Sequence, residues 1–499
     1  MALRILHFRK GRTSRKSQYR RRISEAKASL NSFWQKNPAL FYGLSFLIGC
    51  GLSWVGFLIY LLLILTNKSR AVAGLILLIA ACLYNHFLYK DLSKITTPLT
   101  GKGYFVIQSV NPYQTPFKSG TIYKGKFLSF ASLRNLPCNI YWFSPDRPKA
   151  DQDYLIEGML LPTQGSNILK INENQKWAAV KRTFSSAEWR YSWKEKTRKF
   201  LKRHMRSSET IHFISALITG DLYSRYLRFG FQTLGLSHIL VISGFHFAFL
   251  TLFAGLFFRL FFSSEKVHYI LLVVTTLYFF LLGPTPSIQR AWIAIELYLI
   301  AKILGKRAFS TQLLGLALFI ELILNPLSLQ NIGFQLSYLS CLGILLLFDP
   351  IDKFFQRLFL KRTKEEVLQL TFPSQAGFIL GTFLRKSLSL SAAVNLAILP
   401  VLLLHFHKFP LLSLAYNLFF PFLITLDMAL MAISFLVYPL FPYSMKILES
   451  FTTSLLNLVF YAPKSMQYYF YYNDLSAEIV VLYLCALFLL AIGLKRKEL

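Results

Sequence analysis

The sequence predicts a polytopic α-helical membrane protein of about ten membrane segments, with one small all-β barrel inserted near its N-terminus. Three observations predict it. Of the 499 residues, 54% are hydrophobic, mean hydropathy is +0.44, and the apolar residues gather into repeated runs approaching the ~20 residues needed to cross a hydrocarbon core. A single long polar stretch, 94–184, interrupts those runs with β texture. The 55 Lys and Arg against 23 Asp and Glu give a net charge of +32, an excess that in such a chain orients loops before it implicates nucleic acid.

The head, 1–36, carries Arg4, Arg9, Lys10, Arg12, Arg15, Lys16, Arg20, Arg21, Arg22, Lys27 and Lys36 against the acid Glu25. It reads as a basic cytoplasmic tail, uncleaved, that orients the first of the membrane segments in 37–90. The apolar run 39–66 admits two counts. As one span it places the "NKSR" loop (67–70) outside and the β domain inside; as a short hairpin broken at "GCG" (49–51) it keeps "NKSR" inside and sends the β domain outside. The hairpin satisfies the positive-inside tendency better.

Residues 94–184 alternate β-formers between Pro, Gly, Asn and Asp, as in "GYFVIQSV", "TIYKGKFLSF", "NIYWF", "YLIEGMLL" and "ILKIN". About five short strands predict a small OB-like barrel, a common platform for single strands. Tyr104, Phe105, Tyr123, Phe127, Phe130, Tyr141, Trp142 and Phe143 are candidate stacking faces, although alternating aromatics in a barrel this small mostly fill its core. Segment 185–210 follows, with Trp189, Trp193 and Phe200 near helical spacing among Arg190, Lys194, Arg198, Lys202 and Arg203. This predicts a basic amphipathic helix at the membrane interface, those five cations touching lipid or DNA phosphates.

Several chemistries are set aside. "GTIYKGKF" (120–127) has phosphate-loop spacing but puts Phe127 where a magnesium-binding hydroxyl belongs and runs into β texture. Ser243 lacks the flanking glycines of a hydrolase elbow, Val241 and Phe245 standing in their places. The five cysteines form no framework and the nine histidines no zinc pattern. No cofactor and no catalysis are expected.

What remains is polar residues inside apolar runs, which cost free energy at bilayer depth unless a partner or a wet cavity receives them. "GLSHILVISGFHFAFL" (235–250) carries His238, Ser243, Gly244 and His246. On a straight helix the two histidines share one face; a break at Ser243-Gly244 would instead direct backbone groups toward a cavity, as in transporter half-helices. "LLGPTPSIQRAWIAIELYLIAK" (281–302) puts Ser287 at a candidate N-cap and Arg290 in the first turn, a ready phosphate site or a snorkelling anchor, with Glu296 free to pair with a neighbour. "NPLSLQNIGFQLSYLS" (325–340) places Gln335 in an apolar run, and 394–422 adds Asn417 and three expected helix breaks at Pro400, Pro410 and Pro421. Broken helices with clustered polar groups describe a transport path.

In this order and spacing, "ISALITGD", "GLSHILVISGFHFAFL", "PSIQRA", "NIGFQLSYLS", "ILPVLLLHF" and "NLFFP" closely resemble the ComEC family of competence proteins, over roughly 211–440. The resemblance implies an inner-membrane channel that admits one strand of incoming DNA, with 211–440 as its core and 441–499 as further membrane segments. His238, Ser243, Gly244 and His246 would then form the pore wall, Arg290 would touch phosphates transiently, and Gln335 and Asn417 would hold the broken helices. It further implies single-stranded DNA and membrane lipid as ligands, a cytoplasmic helicase-like ATPase and a DNA receptor or nuclease as partners, and homo-oligomers. The family's metallo-β-lactamase-like domain has no counterpart before the chain stops at "LKRKEL", so nuclease activity is not expected of it. Phe245, Phe247 and Phe249 are bulkier than the family's usual small and aliphatic residues, and Gln289, Ala294 and Glu296 depart from the apolar or Met character expected after the Pro-Ser pair. A membrane-embedded hydrolase and a DNA tether without transport are the rival readings.

Overall fold

The computed structural model describes residues 30–495, apart from 52–53, 115–117, 145, 164–165, 172–174, 183–184, 358–361, 363 and 462–467. Most of the basic head, 1–29, therefore lies outside the described residues.

The run 39–66 is two helices, α1 (Pro38–Cys50) and α2 (Trp54–Thr66). Arg70, just after α2, donates to the Trp34 carbonyl at 2.5 Å and the Gln35 carbonyl at 3.3 Å, so the two open ends lie together and the run is a hairpin. α3 (Ala71–Tyr89) then leads into the β domain. β1 (Leu99–Gln114) pairs with both β2 (Ser119–Phe130) and β4 (Gln152–Thr163). β2 pairs with β3 (Leu133–Trp142), β3 runs parallel to β5 (Ser166–Ile171), and β5 pairs with β4, so the pairings return to β1. β6 (Lys176–Arg182) adds to β4. Phe105, Tyr123, Phe127 and Phe130 are each 0% exposed in the core of this sheet, whereas Tyr104, Tyr141, Trp142 and Phe143 are half-buried. The "GTIYKGKF" segment is plain β2 strand.

α4 (Ser186–His204) connects this domain to the helical body: α5 (Ser208–Thr219), α6 (Arg225–Thr233), α7 (Ser237–Leu240), α8 (Gly244–Phe258), α9 (Ser264–Leu282), α10 (Pro286–Ile303), α11 (Ser310–Leu324), α12 (Ile332–Gln356), α13 (Lys364–Leu368), α14 (Phe372–Phe406), α15 (Leu412–Val437), α16 (Ser444–Phe460) and α17 (Ala477–Lys495). β7 (Lys408–Pro410) and β8 (Tyr469–Tyr471) pair as a small antiparallel ribbon.

Among the described residues, six helices are long and apolar enough to cross a membrane: α3, α9, α12, α14, α15 and α17. About ten segments are expected from the sequence, and the shortfall has a physical origin. α1, α8 and α11 are apolar but only 13–15 residues long, about two-thirds of a span at 1.5 Å per residue. α10 carries Arg290, Glu296 and Lys302.

Two expected proline breaks are corrected. Pro400 and Pro421 lie inside the continuous helices α14 and α15, and only Pro410 coincides with an interruption. A proline leaves the carbonyl four residues back without its donor. At Pro400 that carbonyl, Leu396, accepts instead from the Tyr483 hydroxyl of α17 at 3.1 Å, so the helix runs on without an orphaned acceptor.

Candidate functional site

Residues 235–250 do not form one helix. α7 ends at Leu240, Val241–Ser243 run extended, and α8 starts at Gly244. Ser243 is the N-cap: its Oγ accepts from the Phe245 N–H at 3.3 Å, while its own N–H donates to His246 Nδ1 at 3.3 Å. This is a capping box with histidine where Glu or Gln usually stands. Ile242, 1% exposed, pins the break by packing with Phe247, Leu282, Ile288 and Ala291. The one-face arrangement of His238 and His246 is thereby corrected, because the break assigns them to different helices.

Their environments also differ. His246 is buried; its Nδ1 accepts, so the proton sits on Nε2, which has no partner among the described residues. His238 is exposed, although much protein lies around it. Accessibility continues through Val241, Phe245 and Ala248, while Ser243 and Gly244 are intermediate.

Arg290 reaches this break from α10. That helix begins at Pro286 with Thr285 as N-cap, two positions earlier than Ser287 would give, so Arg290 falls just beyond the first turn. Arg290 is buried; Nη1 donates to Cys341 Sγ at 2.8 Å, and its guanidinium sits 5.8 Å from the Tyr338 ring centre. A Cβ built on Gly244 would lie 3.4 Å from Nη2, so the arginine fork abuts the N-terminus of α8. The Tyr338 hydroxyl in turn donates to the fully buried Glu321 at 2.8 Å. Glu296 accepts from Thr275 at 2.6 Å and Thr276 at 3.1 Å of α9. Glu321, an acid in the apolar run of α11, carries the same signal as Arg290, whereas Cys341 carries none; only the fold brings them to Arg290.

Gln335 joins two segments, donating to the Leu329 carbonyl at 3.0 Å and bonding His405 Nε2 at 3.2 Å. Asn417 lies in α15 with its Oδ1 buried and without a hydrogen-bond partner among the described residues.

α4 divides its cations between two faces. Arg190 and Lys194 point inward: Arg190 donates to the Gln108 carbonyl of β1 at 2.6 Å and packs on Gly283 ahead of α10, and Lys194 pairs with buried Asp221 at 2.8 Å. Arg198 is half-buried, bridged to Glu195 at 3.2 Å and stacked 4.6 Å over Tyr223. Lys202 and Arg203 are exposed, with Lys196 and Lys199. At the start of α4, burial alone would raise the Glu188 carboxyl. Arg147 in a two-bonded grip and the Ala150 N–H outweigh it and hold the group below its ordinary 4.5.

Segments far apart in sequence thus converge on one break: Gly220 against Ile242, Arg290 against Gly244, and Cys341 and Tyr338 against Arg290. A family model described as "Competence protein" matches residues 219–497, more than half of the chain. The "ComE operon protein 3" of Bacillus subtilis (strain 168) is 32% identical over 209 residues, which make up 41% of this chain and 23% of that protein. The matched stretch therefore spans about a quarter of that relative's length. No solved structure matches.

Proposed function

Because the chain belongs to the competence protein family, we propose that it is a multi-pass inner-membrane channel that passes single-stranded DNA into the cytoplasm during natural transformation. The observation that carries the proposal is the helix break at Val241–Ser243, with an accessible stripe along it and Arg290 behind it. A strand carrying one negative charge per nucleotide needs a wet path with donors and positive potential, and contacts weak enough to release it. A half-helix N-terminus backed by a buried guanidinium supplies that potential without a tight binding site.

In this reading the β domain is an OB-type barrel. Support comes from the return of its pairings to β1 and the parallel β3–β5 contact, the arrangement of a closed five-stranded Greek key. It stands on the outer side, with the basic head inside. DNA-binding through its rim and the exposed face of α4, oligomerisation, and pulling by a cytoplasmic helicase-like ATPase belong to the same proposal. Among the candidate cations, Lys202 and Arg203 serve for phosphate contact, while Arg190 and Lys194 brace the junction.

The hydrolase alternative is weaker. Ser243 Oγ lies 3.4 Å from His246 Nδ1, but that contact belongs to the helix cap, and among the described residues Nε2 has no carboxylate of the kind that orients a catalytic histidine.

The test is nuclease-protected uptake of end-labelled duplex DNA in a deletion strain carrying wild type or Val241→Trp. Wild type is expected to restore protected label, and the tryptophan, filling the break, to cut it at least about tenfold at equal protein level with surface-bound DNA unchanged. If deletion leaves protected uptake intact while surface-bound DNA falls, the protein is a tether.

A further inference from the structure

The ribbon β7–β8 closes the junction between α14 and α15. Its register sets Lys408 against Tyr471, Phe409 against Phe470 and Pro410 against Tyr469. Directly opposed residues share a face, so Lys408, Pro410, Tyr469 and Tyr471 lie on one side, and buried Phe409 anchors the other. The Tyr469 and Tyr471 rings sit 5.9 Å apart, Lys408 Nζ lies 5.4 Å from the Tyr469 ring centre, and Tyr471 is 64% exposed. The ribbon is a small aromatic shelf with a cation at its edge.

Its location matters more than its composition. Gly235, at φ +69°, is wedged against β7 and the start of α15: a Cβ there would lie 2.7 Å from Pro410 and 2.5 Å from Ser413. Gly235 stands three residues before His238, so the shelf abuts the entrance of the broken segment. His405, at the end of α14 beside the shelf, is the partner of Gln335. The connection that precedes the opposite end of α14 carries Arg357, Arg362 and Lys364, and basic loops stay cytoplasmic. The shelf therefore opens toward the side from which a strand arrives.

Building on the translocation reading, we infer that this ribbon is a stacking platform for the bases of single-stranded nucleic acid, with Lys408 beside the phosphates. Every base has a π-face, so tyrosines grip without reading sequence, as a general uptake route requires. A lipid-facing aromatic belt, the competing role for interfacial tyrosine and its neighbouring lysine, does not account for the contact with Gly235.

The experiment uses the full chain in lipid nanodiscs and a 5-iodouracil oligonucleotide. Irradiation is expected to cross-link the wild-type chain within 468–472. Tyr469→Phe with Tyr471→Phe should keep that yield. Tyr469→Leu with Tyr471→Leu, which keeps an apolar anchor but removes the π-faces, should weaken oligonucleotide binding about tenfold or more. Cross-links confined to other regions, with the leucine pair binding like wild type, would make the ribbon a membrane belt and overturn the inference. Protected uptake measured on the same variants separates the two claims. Cross-linking at the ribbon without any uptake by wild type sinks the channel and keeps the platform; full uptake by the leucine pair without ribbon cross-links does the reverse.

Discussion

At the scale of single residues, the informative contrast lies between His238 and His246, which the sequence presents as equals. The pattern Ser-x-x-His hides a capping box, since the reader expects Glu or Gln at its end, so the structural role of His246 was not legible. The role predicts a graded result: His246→Gln keeps an acceptor in place and should retain protein level and uptake within about twofold. His246→Ala removes the reciprocal bond, at a cost of about 1 kcal/mol, and should lower both. Equal damage from the two substitutions at equal protein level would show that the imidazole itself is required. Arg290 was legible as a functional candidate because an arginine in an apolar helix demands a partner. Its partners, Cys341, Tyr338 and Glu321 through Tyr338, were not, because they lie up to 51 positions away in sequence.

At the scale of elements, α4 acts as a brace more than as a raft. Its helical spacing and charge were legible, but which cations turn inward depends on Asp221 and the Gln108 carbonyl, supplied by other elements. Removing one member of a buried ion pair strands the other, at about 3–5 kcal/mol. Asp221→Asn should therefore sharply lower the thermal stability of the purified protein, while Lys194→Met combined with Asp221→Leu should recover much of it; equal loss in both would show that the pair is not what matters there. Glu188 gives a pH-dependent counterpart. Its folded value lies below the ordinary 4.5, so its stabilisation is complete above about 4.5 and is lost as pH falls through the folded value. Protection of the Ala150 amide, which donates to Glu188, should fall in that acid window in hydrogen exchange and be insensitive to pH in Glu188→Gln. Protection that stays constant in wild type would remove the carboxylate from the account.

For the whole molecule, the helical body and the inserted β domain were legible from composition and texture, and the hairpin in 39–66 from charge. Span number was not, because 13-residue apolar helices and continuous proline-bearing helices are settled by neighbours such as Tyr483. The proposed orientation is self-consistent: the hairpin's open ends, Lys306 and Arg307 after α10, and Arg357 before α14 all fall at the end opposite the β domain when successive spans alternate. Single cysteines at 306 and at 471 should accordingly label from opposite faces with a membrane-impermeant thiol reagent, and labelling from one face would break the alternation. The central claim, that a strand passes the break at Val241–Ser243, is tested most directly by stalling it there. A strand bearing 4-thiothymidine and a bulky trailing block, irradiated once its leading end is inside the cell, is predicted to cross-link within 238–248. A stalled, nuclease-protected strand that cross-links nowhere in that segment would contradict the account.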